Sequence, residues 1–191
     1  MDIAHTALLA MDCQAGIVAA YAQPAEDFIG RAVSALHAAR TAGMPVVHVQ
    51  VGFRPGLPEI SPRNKLFAAL NSPEWRKFME GPLSSIHPAL GPEPADIVVT
   101  KHRVSAFTGT DLEMILSAKD IGTLVLFGIA TSGVVLSTLL HASDADYEIV
   151  VIADCCADRD YVLHKALVEN LFPRRALVLT SSEFADLLKN G

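Results

Sequence analysis

Charge is absent from one twenty-residue stretch of this chain: nothing in 121–140, IGTLVLFGIATSGVVLSTLL, carries any. A run of that length is long enough to cross a bilayer. Its interior glycines, its threonine and serine positions and the α/β pattern around it argue instead for a buried element of a water-soluble fold. Cysteine is scarce as well. Cys13, Cys155 and Cys156 are odd in number, and two of them are adjacent, which gives no disulfide framework. No cysteine–histidine cluster has metal-ligand spacing, so no metal and no cofactor are expected, and a reduced, cytoplasmic compartment is the default. Basic charge is sparse: 15 Lys and Arg stand against 21 Asp and Glu, and the longest basic cluster is Lys101-His102-Arg103. That excludes a nucleic-acid partner. The opening MDIAHTALLAMD lacks the basic region of a secretory signal, and none is expected. A phosphate loop is missing too. Gly128 and Gly133 have its glycine spacing, but Val134-Val135 stand where Lys and Ser/Thr must meet phosphate and magnesium.

What is present is a hydrophobic content of 51% over 191 residues, enough for one domain, 1–191, with a large core. Apolar runs at 6–11, 46–51, 96–100, 123–127, 147–153 and 176–180 read as strands. Helical spacing occupies 27–42, stopped by Gly43, and 111–118, with Thr110 as cap and Glu113 at the capping-box position. It returns from Val134 onward, from Asp158 to about Leu171 with Val162, Ala166, Val168 and Leu171 facing inward, and over 182–189. Strands alternating with helices specify an α/β fold: a three-layer αβα sandwich around a six-stranded parallel sheet. The stretch 52–94 breaks the rhythm, with prolines at 55, 58, 62, 73, 82, 88, 92 and 94. Trp75, Phe78 and Met79 suggest one helical turn within it. So long an insertion serves as a lid, as an assembly surface or as plain architecture.

In parallel sheets ligands bind beyond the carboxyl ends of the strands. Three features fall there: Asp12 after the first strand, Lys101 after the third and the small-residue turn Gly128–Gly133 after the fourth. A strand turning sharply into a helix leaves N–H groups for an anion. An acid, a cation and such a cradle converging on one crevice are a minimum kit for hydrolysis. Side-chain alternation sets Asp12 and Gln14 on one side and Cys13 on the other, in the core. His48, inside the second strand, reads as a hydrogen-bonded strand residue.

Four segments in order, ALLAMDCQAGI at 7–17, VVTKHRVSAFTGTDLEMIL at 98–116, GIATSGVVLST at 128–138 and DYEIVVIADCCADRD at 146–160, resemble the isochorismatase-like or cysteine hydrolase superfamily. The resemblance covers nearly the whole chain. It implies a Rossmann-like fold and an Asp–Lys–Cys site, with the aspartate at Asp12 and the lysine at Lys101. It also implies a cis peptide at Ile129–Ala130, so that Ile129, Ala130, Thr131 and Gly133 form the oxyanion turn. The family's nucleophilic cysteine falls on Val134, which cannot attack a carbonyl. Cys13 and Cys155-Cys156 do not match that position, and Ser132, two residues earlier, has nothing adjacent to activate it. The metal cluster that nicotinamidases carry after the second strand is missing as well. True isochorismatases, which carry glycine at this position, cleave a vinyl ether without a protein nucleophile.

The resulting expectation is hydrolysis of a small organic substrate without cysteine, with Asp12 as acid/base, Lys101 as electrostatic partner and Gln14 and Phe107 as pocket walls. Gln14 as a partner for loop backbone and Phe107 as core packing are the structural alternatives, and Asp158 reads as a helix cap. Two other functional classes stand beside it: a non-catalytic member that binds a small carbonyl compound or acts as an oligomeric scaffold, and an amidase with an atypical nucleophile. The partners expected are a small molecule and further copies of the chain, as a homodimer or higher homo-oligomer, with no membrane.

Overall fold

A computed structural model describes residues 1–72, 75–76 and 81–190. Six strands, β1 (Thr6–Met11), β2 (Val46–Val51), β3 (Ile97–Lys101), β4 (Thr123–Ile129), β5 (Glu148–Ala157) and β6 (Leu177–Leu179), form one parallel sheet in the order β3-β2-β1-β4-β5-β6. Helices cover both of its faces: α1 (Ala15–Tyr21), α2 (Ala25–Thr41), α3 (Lys65–Ala69), α4 (Leu112–Ala118), α5 (Leu136–Asp144), α6 (Tyr161–Ala166) and α7 (Ser181–Asn190). This is the expected αβα arrangement. Phe78 and Met79, expected in a helical turn, lie outside the described residues.

Every residue of β1 and β4 is buried, which is why both read as unbroken apolar runs rather than alternating ones. The charge-free stretch 121–140 is therefore not one element: it is β4, a turn of π-helical bonding at Thr131–Val135, and the start of α5. Among the described residues no helix is long and apolar enough to cross a membrane. Helix α2 buries Phe28, Ala32, Ala35, Leu36 and Ala39, one stripe at helical spacing, and packs on α7. Gly43 closes it at φ 76°, a conformation that costs glycine little. His48 is satisfied at one ring nitrogen only: Nε2 lies 3.2 Å from the buried Asp96 carboxylate, whereas the buried Nδ1 has no partner among the described residues.

Three departures from the expected elements have local causes. Strand β5 runs on to Ala157 because it bulges: Leu126 pairs with Val151, yet two residues later Gly128 pairs with Cys156. The extra residues carry Asp154 out of the ladder, where its carboxylate accepts from Ser181 N and Oγ. The inward face expected for 158–171 holds in its second half, where Val168 and Leu171 pack partly buried against the core, and fails in its first. Val162 is 78% exposed and Ala166 is also exposed, whereas Leu167 and Phe172 are buried. A π-helical turn at Leu167–Leu171 changes the residue period, so a single 3.6-residue stripe does not extend across it. Helices α1 and α3 have no counterpart in the expected elements; each is too short to give a clear period.

Strands β1 and β4 approach closely where the site begins. Gly128 has φ 145°, and a Cβ built on it would stand 2.0 Å from the Met11 carbonyl oxygen of the neighbouring strand. No side chain fits there without separating β1 from β4. Gly128→Ala is expected to lower stability by about 3 kcal/mol or more, read as a fall in denaturant midpoint, or to prevent accumulation of folded protein. Gly122→Ala, with open space around the added carbon, is the near-neutral control.

Candidate active site

The strand order reverses direction beside β1: β2 and β3 lie on one side of it and β4 on the other. A crevice opens beyond the strand ends at such a switch point. Asp12 follows β1 directly, at φ 53°, with its N–H held by the Val49 carbonyl of β2. Lys101 ends β3, two strands away, a separation of roughly 9–10 Å between strand axes. Only a long side chain closes that gap. The Lys101 ammonium crosses the end of β2 to lie 2.8 Å from Asp12 Oδ2, and it also donates to the Arg103 carbonyl at 3.0 Å.

Both groups are almost wholly buried, the side chains 3% and 9% exposed. Burial pushes the Asp12 carboxyl above the usual aspartate range, and the Lys101 charge opposes the rise. The second carboxyl oxygen, Oδ1, is buried and has no hydrogen-bond partner among the described residues. An unpaired buried acceptor is costly, so this oxygen is free to meet a proton or a ligand.

Asp12 and Lys101 share the floor of a cavity of about 190 Å³ with the turn that follows β4. Ile129, Ala130, Gly133 and Val134 line it from the turn; Ile17 and Tyr21 line it from α1, and Val51 and Val104 from strand end and loop. The 52–94 insertion adds Leu66, Phe67, Leu70 and Trp75, so part of that insertion walls the cavity. The Ile129–Ala130 peptide is cis, as the resemblance implies. The Ala130 carbonyl accepts from Gly133 N and Val135 N.

Three expected site residues do not face the cavity. Gln14 is the residue before α1; the positive φ of Asp12 has already ended the strand, so alternation no longer applies. Its side chain donates to the Val51 and Ser84 carbonyls and accepts from Val51 N, tying β2 to the insertion. Phe107 stacks on His141 of α5, centroids 4.5 Å apart and nearly parallel, and so packs a loop onto that helix. Thr131 turns away from the cavity, its hydroxyl 2.8 Å from His164 Nδ1. Ser132 likewise points backward, donating to Asp158 at 2.6 Å. Asp158 thus reaches across to the turn, and the cap of α6 is Asp160, which accepts from Leu163 N at 3.0 Å.

No thiol lines this cavity. Cys13, Cys155 and Cys156 are all buried, and burial pushes every one of their thiols up, Cys156 to about 12. Thiols so placed are protonated at neutral pH and poor nucleophiles. Among the described residues no group of three or more His, Cys, Asp or Glu side chains is disposed to hold a metal ion. The apolar walls were not legible in the sequence, although Ile17/Tyr21 and Leu66/Leu70 each carry the i,i+4 spacing of one helix face.

Comparison with known proteins agrees with this architecture. The isochorismatase domain model matches residues 6–183. The chain is 31% identical to the uncharacterised isochorismatase family protein YecD of Escherichia coli O157:H7, over 96% of each sequence. It is 36% identical to the ureidoacrylate amidohydrolase RutB of Methylobacterium radiotolerans, over 75% of this chain and 60% of that one. Among solved structures, an isochorismatase family protein from Burkholderia thailandensis superposes with a TM-score of 0.86 at 30% identity, covering 98% of this chain and 97% of its own. The chain belongs to the isochorismatase family of hydrolases.

Proposed function

We propose that this protein hydrolyses a small organic substrate without a covalent enzyme intermediate, with Asp12 as the proton donor and Lys101 as its electrostatic partner. The observation that carries the reading is the buried Asp12–Lys101 contact in a cavity that Val134 also lines. Val134 occupies the position at which the family's cysteine is expected, so this member works without it.

The chemistry best matched to that set is cleavage of a vinyl ether. Asp12 delivers its proton to the β-carbon, forming a C–H bond and an oxocarbenium ion. Water adds to that cation and returns a proton to the carboxylate. The hemiketal then breaks its C–O bond to release a ketone and an alcohol. Burial of Asp12 favours the protonated form that begins the sequence, and Lys101 stabilises the carboxylate left after transfer. The largely apolar walls lower the local polarity and strengthen both effects. A compact substrate follows from the cavity's size.

The name of the RutB relative favours a second reading, hydrolysis of a C–N bond. In that case Asp12 is the general base for water, and backbone donors of the turn that lines the cavity, at Ala130 and Gly133, serve the developing oxyanion.

Three experiments separate these readings. Asp12→Asn and Lys101→Ala are expected to lower kcat/KM by about 10²–10⁴-fold on vinyl ether probes; unchanged turnover of vinyl ethers, amides and esters would sink the enzyme reading. The acid reading also has a signed pH dependence. The active form carries the proton, so kcat/KM should be full below the raised Asp12 pKa and fall as pH increases through it. A rate that instead rises through that range assigns Asp12 as base and supports the C–N reading. Inactivation by iodoacetamide, abolished by one Cys→Ser change, would replace both with a thiol mechanism.

A further inference from the structure

The turn that carries Val134 has two sides. Its front lines the cavity, and its back carries Thr131 and Ser132 away from it. On the front, local bonding is modest: Gly133 N and Val135 N both donate to the Ala130 carbonyl, at 3.1 and 3.3 Å, in a π-type turn. Such turns are rare and cluster at functional sites, where surrounding structure holds them.

The back is gripped by one short segment, 158–164. Asp158 Oδ2 accepts both the Ser132 N–H, at 2.8 Å, and the Ser132 hydroxyl, at 2.6 Å. Its other oxygen accepts from Asp160 N, so the carboxylate is itself anchored to the head of α6. One turn along that helix, His164 Nδ1 meets the Thr131 hydroxyl at 2.8 Å. Between them, Arg159 lies over the Tyr21 ring at 4.5 Å and the Trp75 ring at 5.6 Å, and donates to the Ala20 carbonyl. Tyr21 and Trp75 are cavity walls. A single segment therefore touches the turn twice and the aromatic wall once, without entering the cavity itself.

We infer that 158–164 is the brace that positions the Val134 turn and the aromatic wall against the Asp12–Lys101 pair, with Asp158 and His164 as the positioning residues. Bonds to a carboxylate are about twice as strong as neutral ones, and outer-layer partners of this kind set the orientation of the groups they hold. The brace deepens the proposed hydrolysis, because it fixes where the backbone donors and Val134 stand relative to the substrate. Its geometry can nevertheless be tested without any substrate.

The test places a reporter thiol on the turn through Val134→Cys and measures its alkylation by iodoacetamide against pH, with the labelled peptide identified by mass spectrometry so that Cys13, Cys155 and Cys156 do not contribute. Asp158→Ala or His164→Ala added to that protein should change the alkylation rate on the order of tenfold to a hundredfold and move its pH midpoint, since displacements near 1 Å have effects of that size. Asp158→Asn keeps an acceptor at Oδ2, and His164→Asn keeps a polar atom at the Nδ1 position; each should restore most of the original rate. Ser132→Ala, which removes one of the two bonds to Asp158, supplies a milder variant should the alanine changes at 158 or 164 fail to fold. Rates within about twofold of the parent across Asp158→Ala, His164→Ala and Ser132→Ala, at matched Tm, overturn the inference. So does a loss that the Asn variants do not rescue. Neither outcome depends on turnover, so a failure of the Asp12 and Lys101 experiments leaves the brace standing, and the reverse also holds.

Discussion

A carboxylate and an ammonium group held 2.8 Å apart beneath an apolar cavity set the terms for the rest of this structure. Removing both charges from water costs several kcal/mol each, and their mutual attraction recovers this only when the geometry is held closely. Here the holding is done by the sheet. Asp12 is fixed by its backbone bond to β2, and Lys101 by the end of β3 and the Arg103 carbonyl. The pair is still incomplete, because Asp12 Oδ1 is buried without a protein partner among the described residues. Stability alone would favour apolar residues of similar size at both positions. That departure from the ordinary rules of burial is the ground on which a catalytic role is proposed for the pair.

The position of that pair depends on how closely β1 and β4 meet. Gly128 lets the Met11 carbonyl approach to a distance no side chain would permit, and so sets the turn after β4 next to Asp12. From there the chain passes through the Ile129–Ala130 peptide into a π-type turn, with Val134 lining the same cavity as the pair and the Thr131 and Ser132 side chains bonded behind it. The glycine, the turn and the carboxylate act together. Each is ordinary in isolation, and their order along two neighbouring strands makes one crevice of them.

The fold was largely legible in the residues. Six apolar runs separated by helical patterns give the six strands within a few residues, because strands buried on both faces have little choice of composition. The floor of the site was legible for a related reason. A charged residue at the tip of an apolar strand stands out against its surroundings, as Asp12 and Lys101 both do. Gln14 and Phe107 follow their structural readings, a partner for loop backbone and a packed core residue, and not the pocket-wall one, since residue type says nothing about direction once a strand has ended. One became a strut between β2 and the insertion, the other a stacking partner for His141. The apolar walls escaped notice for the opposite reason: Ile17, Leu66 and Leu70 look like any core residue until something hollow is found beside them.

Taken by itself, the sequence determined the alternation of strand and helix, the scarcity of usable thiols and the valine on the turn after β4, since each of these is a property of local composition or spacing. Tertiary structure alone decided that a lysine at the end of β3 crosses β2 to meet an aspartate at the end of β1. It alone decided, too, that Asp158 turns to Ser132 across the chain rather than capping its own helix. Such contacts join residues tens of positions apart. Their distances follow from strand order and side-chain length, and no local pattern in a chain records either.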